Sequence, residues 1–302
     1  MREITLEELL EAGCHFGHQI IRSNPKARDF VFESRDNIQI IDLAKTKEGL
    51  EEAAEFIKNV ALKGGSLLVV GTKRQAQGVV KEEVERAKEL LKNDGLDQAD
   101  SLFYIADRWV GGILTNFSEI SKNLQKLKDL TEKVSNERLQ EGYTKKEVGL
   151  WDKERQRLEL LYGGISTVEK TPDALFIIDS HLEDLAVREA NKMGVEIAAI
   201  VDTNANPEVI DYPIPANDDA VGSIKLIAAY IIDAWIEGKK ASSVAKAKED
   251  KQSAKLKDQK QKEEKEAVKT QEKPKKEVTK KKEEKKEENG KSKPGRTKKT
   301  TK

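Results

Sequence analysis

A single cysteine among 302 residues, Cys14, has no partner for an intrachain disulfide and cannot build a multi-cysteine zinc site. No stretch reaches the roughly eighteen consecutive apolar residues of a membrane-spanning helix. The opening residues, Met1-Arg2-Glu3-Ile4-Thr5-Leu6-Glu7-Glu8, interleave acids with apolars and lack the unbroken apolar core of a secretory signal. These absences point to a reducing cytoplasm. Residues 241–302 contain no Phe, Trp or Tyr, few aliphatics, and charge runs such as Lys280 to Lys286. Such a segment cannot bury enough apolar surface to offset its chain entropy, so a disordered Lys/Glu-rich tail is expected there, outside a folded part spanning residues 1–240.

The chain is neutral overall, but its charge is divided. The tail carries 23 Lys and Arg against 12 Asp and Glu, a net charge of +11 that leaves −11 for residues 1–240. A basic tail on an acidic globule either reaches polyanions or merely solubilises the chain.

What is present reads as an α/β fold. Thr5 and Glu8 have capping-box spacing ahead of Leu6, Leu9 and Leu10, giving a short helix that ends before Gly13. A loop follows, then short strands at Phe30–Phe32 and Ile38–Ile41, and a helix capped by Asp42. Leu67–Val70, Leu102–Ile105, Leu175–Ile178 and Ile197–Val201 are short apolar strands. Helices at Gln75–Leu91, Leu182–Met193 and Ala220–Ile236 alternate with them, which predicts a doubly wound parallel sheet covered on both faces. Phe117 to Leu160 breaks the alternation. Ile120, Leu124, Leu127, Leu130 and Val134 recur at helical spacing, a turn falls near Glu141-Gly142-Tyr143, and Leu150, Leu158 and Leu161 continue the stripe. An inserted helical hairpin over residues 117–162 is expected, either a simple apolar seam or an arm that docks a partner.

Several clusters invite a chemical reading. Gly71-Thr72-Lys73 after a strand offers a helix N-terminus to an anion, but both the P-loop spacing and the three-glycine dinucleotide fingerprint are missing. Cys14-His15-Phe16-Gly17-His18 supplies three potential metal ligands where a structural zinc needs four, so packed histidines are favoured, although remote acids such as Asp202 or Asp218 could complete a site. Asp202-Thr203-Asn204 and Asn217-Asp218-Asp219 follow strand ends, where capping is favoured over catalysis and Asp219 is placed to begin the last helix. In Asp107-Arg108-Trp109-Val110-Gly111-Gly112-Ile113-Leu114-Thr115-Asn116, an arginine that forks onto phosphate precedes an indole and two glycines. The alternative there is a tight structural connection with Trp109 buried. Arg22-Ser23-Asn24-Pro25-Lys26-Ala27-Arg28 presents three cations on an extended segment, and Lys145-Lys146 adds two near the hairpin tip. Cations on loops without a catalytic cluster point to phosphate-backbone contact.

Gly13-Cys14-His15-Phe16-Gly17-His18, Asn24-Pro25-Lys26, Ile40-Ile41-Asp42-Leu43, Val70-Gly71-Thr72-Lys73, Arg108 to Phe117, Thr144-Lys145-Lys146-Glu147, Gly163-Gly164-Ile165, Pro172 to Phe176, Val201-Asp202-Thr203-Asn204 and Asp211 to Ala220 occur in one order. Together, over about residues 3–238, they resemble the family of small-subunit ribosomal protein two. The resemblance implies a flavodoxin-like sheet of about five parallel strands carrying an α-helical coiled-coil hairpin, seated between head and body of the small ribosomal subunit. It implies late assembly, contact with ribosomal RNA and with other small-subunit proteins, and support for ribosomal protein one, the mRNA-binding protein. It implies no catalysis, cofactor or metal. Ala216 stands where the family usually has glycine, Cys14 where it is commonly aliphatic, and Ser23 where it has tryptophan, which takes aromatic stacking away from that loop.

The expected function is therefore that of a structural RNA-binding component of the small ribosomal subunit. Arg22, Lys26, Arg28, Lys73, Arg74, Arg108, Trp109, Asn116, Lys145 and Lys146 are its candidate contacts. A phosphometabolite enzyme built on Gly71–Lys73 and a protein scaffold built on the hairpin are the competing classes.

Overall fold

Four-residue apolar runs with no polar side to offer water have to be covered on both faces, and the sheet they form is built accordingly. In the computed structural model, which describes residues 2–95 and 101–244, strands β4 (Leu67–Val70), β5 (Leu102–Ile105), β6 (Ala174–Ile177), β7 (Glu196–Val201) and β8 (Tyr212–Pro215) form one parallel sheet in the order β5-β4-β6-β7-β8. In register, Leu67 to Val70 face Leu102 to Ile105 on one side and Ala174 to Ile177 on the other. Alternate residues feed two cores. Leu67, Val69 and Phe176 join a cluster with Trp235 and Ile57, while Leu68, Val70 and Ile177 join one with Trp109 and Ile113. Numbered among themselves, the strands run 2-1-3-4-5, the doubly wound order whose switch point lies between the first and third strands, here β4 and β6.

Helix α1 (Leu6–Glu11) has the expected reciprocal capping box between Thr5 and Glu8. Asp42 accepts from the Ala44 N–H to start α2 (Leu43–Leu62), whose stripe of Leu50, Ala53, Ala54 and Ile57 is buried. Helix α3 (Arg74–Asn93) follows β4, and α7 (Asp184–Met193) precedes β7 and ends on Gly194 at φ +71°. Helix α8 is described over 221–244, past residue 240, with Ser242 buried. Among the described residues no helix is long and apolar enough to cross a membrane.

Between β5 and β6, α4 (Phe117–Ser135), a short turn α5 (Glu137–Gln140) and α6 (Lys145–Tyr162) replace a single crossover helix. Helices α4 and α6 lie antiparallel. Asn123 near the start of α4 reaches Tyr162 at the end of α6, Lys126 Nζ meets Glu154 at 2.9 Å, and Lys133 lies over the Trp151 ring. Leu124, Leu127, Leu130 and Leu158 are buried along the helices.

Three segments differ from expectation. Residues 16–19, expected in a loop, form strand β1 (Phe16–Gln19), which pairs with β3 (Ile38–Ile41). Beyond β3, β2 (Val31–Arg35) completes an antiparallel sheet in the order β1-β3-β2, closed by a two-residue turn at Asp36 and Asn37, both at positive φ. The segment from Pro25 to Phe30 is not extended but a 3₁₀ helix, because Pro25 at its first position is pre-set for helical φ and Asn24 accepts from the Lys26 N–H at 3.0 Å. Strand β8 was not foreseen, since Pro213 and Pro215 punctuate it. Residues 245–302, most of the expected tail, lie outside the described residues.

Candidate functional site

All five parallel strands deliver their C-terminal ends to one side of the sheet. There β4 leads to Thr72 and Lys73, β6 to Asp179, β7 to Asp202, and β8 to Asp218 and Asp219. The Lys73 ammonium is 2.7 Å from Asp218 Oδ1, 2.7 Å from Asp219 Oδ1 and 3.2 Å from Asp179 Oδ2. His18, brought in from β1, sets Nδ1 3.1 Å from Asp202 Oδ2 and Nε2 3.5 Å from Asp219 Oδ2. Its backbone N–H donates to Thr203 Oγ1 at 2.9 Å. A side chain at Gly17 would put its Cβ 2.7 Å from the Thr203 methyl group, so glycine alone lets β1 approach this closely.

The protonation states follow from these contacts. Burial opposes the Lys73 charge, but the bonds to Asp218 and Asp219 outweigh it and hold the ammonium charged. Burial pushes the Asp218 carboxyl up to about 7, aided by Asp179 and Asp202 and resisted by Lys73. Asp219 also meets a burial penalty, yet Lys73 keeps it below the usual carboxylate range. The Asp202 bond is the main cause raising His18. On the same rim, burial raises Glu183, whose carboxylate accepts from the Thr72 hydroxyl.

The switch-point crevice is where an α/β enzyme binds its ligand. Here the chain's own lysine lies among three carboxylates, with a fourth beside His18. Lys73 is therefore matched in charge within the fold, and the surrounding acids repel a phosphate rather than attract it. Among the described residues, His18, Asp218 and Asp219 can each bring one ligand atom within 4.8 Å of the others, and Lys73 already sits on two of those carboxylates. Cys14 and His15 stay out of this group. Cys14 is in the core, its thiol pushed up by burial, and His15 packs its ring 4.0 Å from Phe16. Asp219 does not start α8, since it turns to Lys73 and His18. Asn217 Oδ1 does so instead, accepting from the N–H groups of Asp219 at 2.8 Å and Ala220 at 3.2 Å.

The other singled-out cations lie on exposed surface. Arg22 ends a 3₁₀ turn, Arg28 lies in the 3₁₀ helix after Asn24, and Arg74 opens α3. Arg108 follows β5, and Lys145 and Lys146 open α6 behind the Thr144 capping box. All six are exposed and form no ion pair among the described residues. Lys26 instead pairs with Glu208. Asn116, exposed at the start of α4, accepts from the Ser118 hydroxyl at 3.2 Å.

Trp109 is buried, 6% exposed, and its indole N–H donates to Glu189 Oε1 at 3.4 Å. Glu189 also accepts from the N–H groups of Gly112, Leu114 and Thr115 and from the Thr115 hydroxyl. It was not singled out in the sequence. The available signal was an acid at a buried position of α7, beside Ala186, Val187 and Ala190.

Comparison with known proteins places the chain in a family. Residues 9–238 match the family model described as ribosomal protein S2. The small ribosomal subunit protein uS2 of Corynebacterium diphtheriae is 44% identical over 252 residues, covering 82% of this chain and 90% of that protein. The protein of the same name from Geotalea uraniireducens is 44% identical over 256 residues, covering 85% and 94%. With its family model spanning both the closed crevice and the exposed cations, the chain belongs to the ribosomal protein S2 family.

Proposed function

We propose that this chain, a non-catalytic member of a ribosomal protein family, is a structural constituent of the small ribosomal subunit that holds its place in translation by gripping ribosomal RNA through phosphate contacts. The observation that carries the reading is the division of its cations. Lys73 and Lys26 are neutralised by the chain's own acids, whereas Arg22, Arg28, Arg74, Arg108, Lys145 and Lys146 are exposed and form no ion pair among the described residues, Arg22 feeling only the field of Asp219. Three of these sit in the first turns of α3 and α6. The helix macrodipole disfavours cations there by a few tenths of a kcal/mol, so they do not serve the helices and suit an outside anion. Asn116, at the other end of the same loop as Arg108, adds a neutral donor, and Trp109 is buried as packing.

A protein neighbour is favoured by a separate observation. Phe16, Ile20, Ile21, Phe32 and Ile38, from the β1-β3-β2 sheet and the turn after β1, are all exposed, Ile21 at 94% and Phe32 at 71%. Exposed apolar side chains gathered on one small sheet and the turn that leaves it suit a protein contact better than RNA, and it is the surface we assign to another small-subunit protein, including ribosomal protein one where it occurs.

The test is co-sedimentation of the native protein with small subunits on a sucrose gradient, followed by salt titration of RNA binding. A double Arg22→Ala, Arg28→Ala variant should bind more weakly and with a flatter dependence on salt, because fewer counterions are released. An unchanged slope removes that segment from the RNA contacts. Sedimentation away from small subunits removes the reading.

A further inference from the structure

The Glu189 carboxylate, only 7% exposed on α7, accepts five hydrogen bonds, all from the seven residues Trp109 to Thr115. Oε1 takes the Trp109 indole at 3.4 Å and the Gly112 N–H at 2.7 Å. Oε2 takes the Leu114 N–H at 3.2 Å, the Thr115 N–H at 3.3 Å and the Thr115 hydroxyl at 3.1 Å. Gly112 adopts φ +97°, a conformation that lets the chain curl around the carboxylate. Successive N–H groups converging in this way form an anion-binding concavity. Here the anion is the chain's own side chain, so those amides are not available to a phosphate. What the loop presents outward are Arg108 and Asn116, immediately before and after the residues that Glu189 ties down, and both are exposed.

We propose that Glu189 is a positioning residue for RNA binding. Its carboxylate locks the loop between β5 and α4 so that Arg108 and Asn116 meet the RNA backbone already ordered. The inference rests on the phosphate-contact reading above and adds a residue that touches no RNA itself. Without the carboxylate the three amides and the indole lose their common acceptor. The loop then exchanges among conformations, and ordering it again is charged against binding. Glutamine keeps the size of the side chain but places an N–H₂ where at least one donor points, so a buried donor–donor clash replaces a hydrogen bond.

The test measures the affinity of full-length protein for a transcript of small-subunit ribosomal RNA over a range of salt concentrations. Thermal melting of each variant is recorded alongside. The variants are Arg108→Ala, Glu189→Gln, the two combined, and Asp173→Ala. Asp173 accepts from the Ser66 N–H and hydroxyl at the opposite end of the sheet, so that variant reports destabilisation without touching the loop. Arg108→Ala and Glu189→Gln are each expected to weaken binding about tenfold, the loss of one charged hydrogen bond. Each should flatten the slope of log affinity against log salt by about one. The double variant should be no worse than either single. A purely structural Glu189 gives another pattern: a lowered melting temperature with affinity and slope like Asp173→Ala, or a double variant showing the sum of both losses, and either overturns the proposal. If Arg108→Ala itself has no effect, the loop is not an RNA contact and both readings of it fall. If Arg108→Ala has its effect and Glu189→Gln has none, the positioning role alone falls.

Discussion

Replacing Lys73 by methionine leaves the side-chain length nearly unchanged and removes the ammonium that pairs with Asp179 and Asp218, which are 9% and 1% exposed. Taking one partner from a buried ion pair costs about 3–5 kcal/mol, because the remaining charge stays desolvated. Asp219 is 54% exposed and water compensates it, so the lower end, about 3 kcal/mol, is the appropriate figure. For a folded unit of this size that lowers Tm by roughly 6–12 °C. The loss should also depend on pH. Lys73 is shifted upward, so its stabilising charge is present throughout the range below the normal lysine pKa and does not itself titrate between pH 5 and 8. Asp218 does, being raised to about 7. At pH 5 it carries a proton and the cluster holds one negative charge fewer, so less depends on the lysine; at pH 8 it is ionised and the loss is full. Thermal melts of wild type and Lys73→Met at both values decide the matter. A Tm shift under about 2 °C, or equal shifts at pH 5 and pH 8, refutes the account of a buried, charge-matched crevice. The salt slope of RNA binding should be the same in this variant as in wild type, since an ammonium already held by three carboxylates releases no counterion from RNA.

Asp218→Asn should show the complementary trend. The folded-state pKa of Asp218 lies above its ordinary value of 3.8, so ionising it costs stability progressively as pH rises from there to about 7. The stability of wild type relative to the variant, followed by chemical denaturation, should therefore fall over that window, and a constant difference contradicts the shift. Gly164→Ala would place a Cβ 2.2 Å from the Tyr104 carbonyl oxygen and force the turn at Gly163–Ile165 off β5, costing about 1–3 kcal/mol; an unchanged Tm contradicts that packing. Removing residues 245–302 takes away the whole +11 charge of the tail and none of α8 as described, so the melting temperature should hold while affinity for small subunits falls and its salt dependence flattens. Unchanged affinity and slope exclude the tail from RNA contact.

Continuous apolar runs and helical spacing were enough to read four of the five parallel strands and the long helices, because burial on both faces leaves an unambiguous mark in residue order. The fifth strand was hidden by its own chemistry, since Tyr212-Pro213-Ile214-Pro215 looks like a turn until β7 is beside it. Strand β1 was hidden for the opposite reason: Phe16-Gly17-His18-Gln19 has no apolar periodicity, and it becomes a strand because Gly17 lets it lie against Thr203 and Ile40 pairs with Phe16. Capping by Asp42 and the Thr5 box are local and were legible. The partners of Lys73 were not, because Asp218 is 145 residues away and nothing in the neighbourhood of either residue announces the other. Glu189 lies between these cases. Its position on a buried helical stripe was visible, but its five donors sit about eighty residues upstream.

Strand β8 borders the sheet, and because proline has no N–H, Pro213 and Pro215 donate nothing to either side; the ladder to β7 uses the intervening residues. The outward edge of β8 consequently offers no amide hydrogens, and its carbonyls are covered by α2, where the Thr46 hydroxyl donates to Pro215 and Gly49 lies against the Pro213 carbonyl. At the opposite border, the turn at Gly163–Ile165 lies so close to Tyr104 that it occupies the space a further strand would need. An edge that lacks donors, or is covered, cannot template the addition of another chain. The sheet is thus protected against self-association at both borders, so that copies of the chain have no open strand edge of this sheet through which to pair with one another.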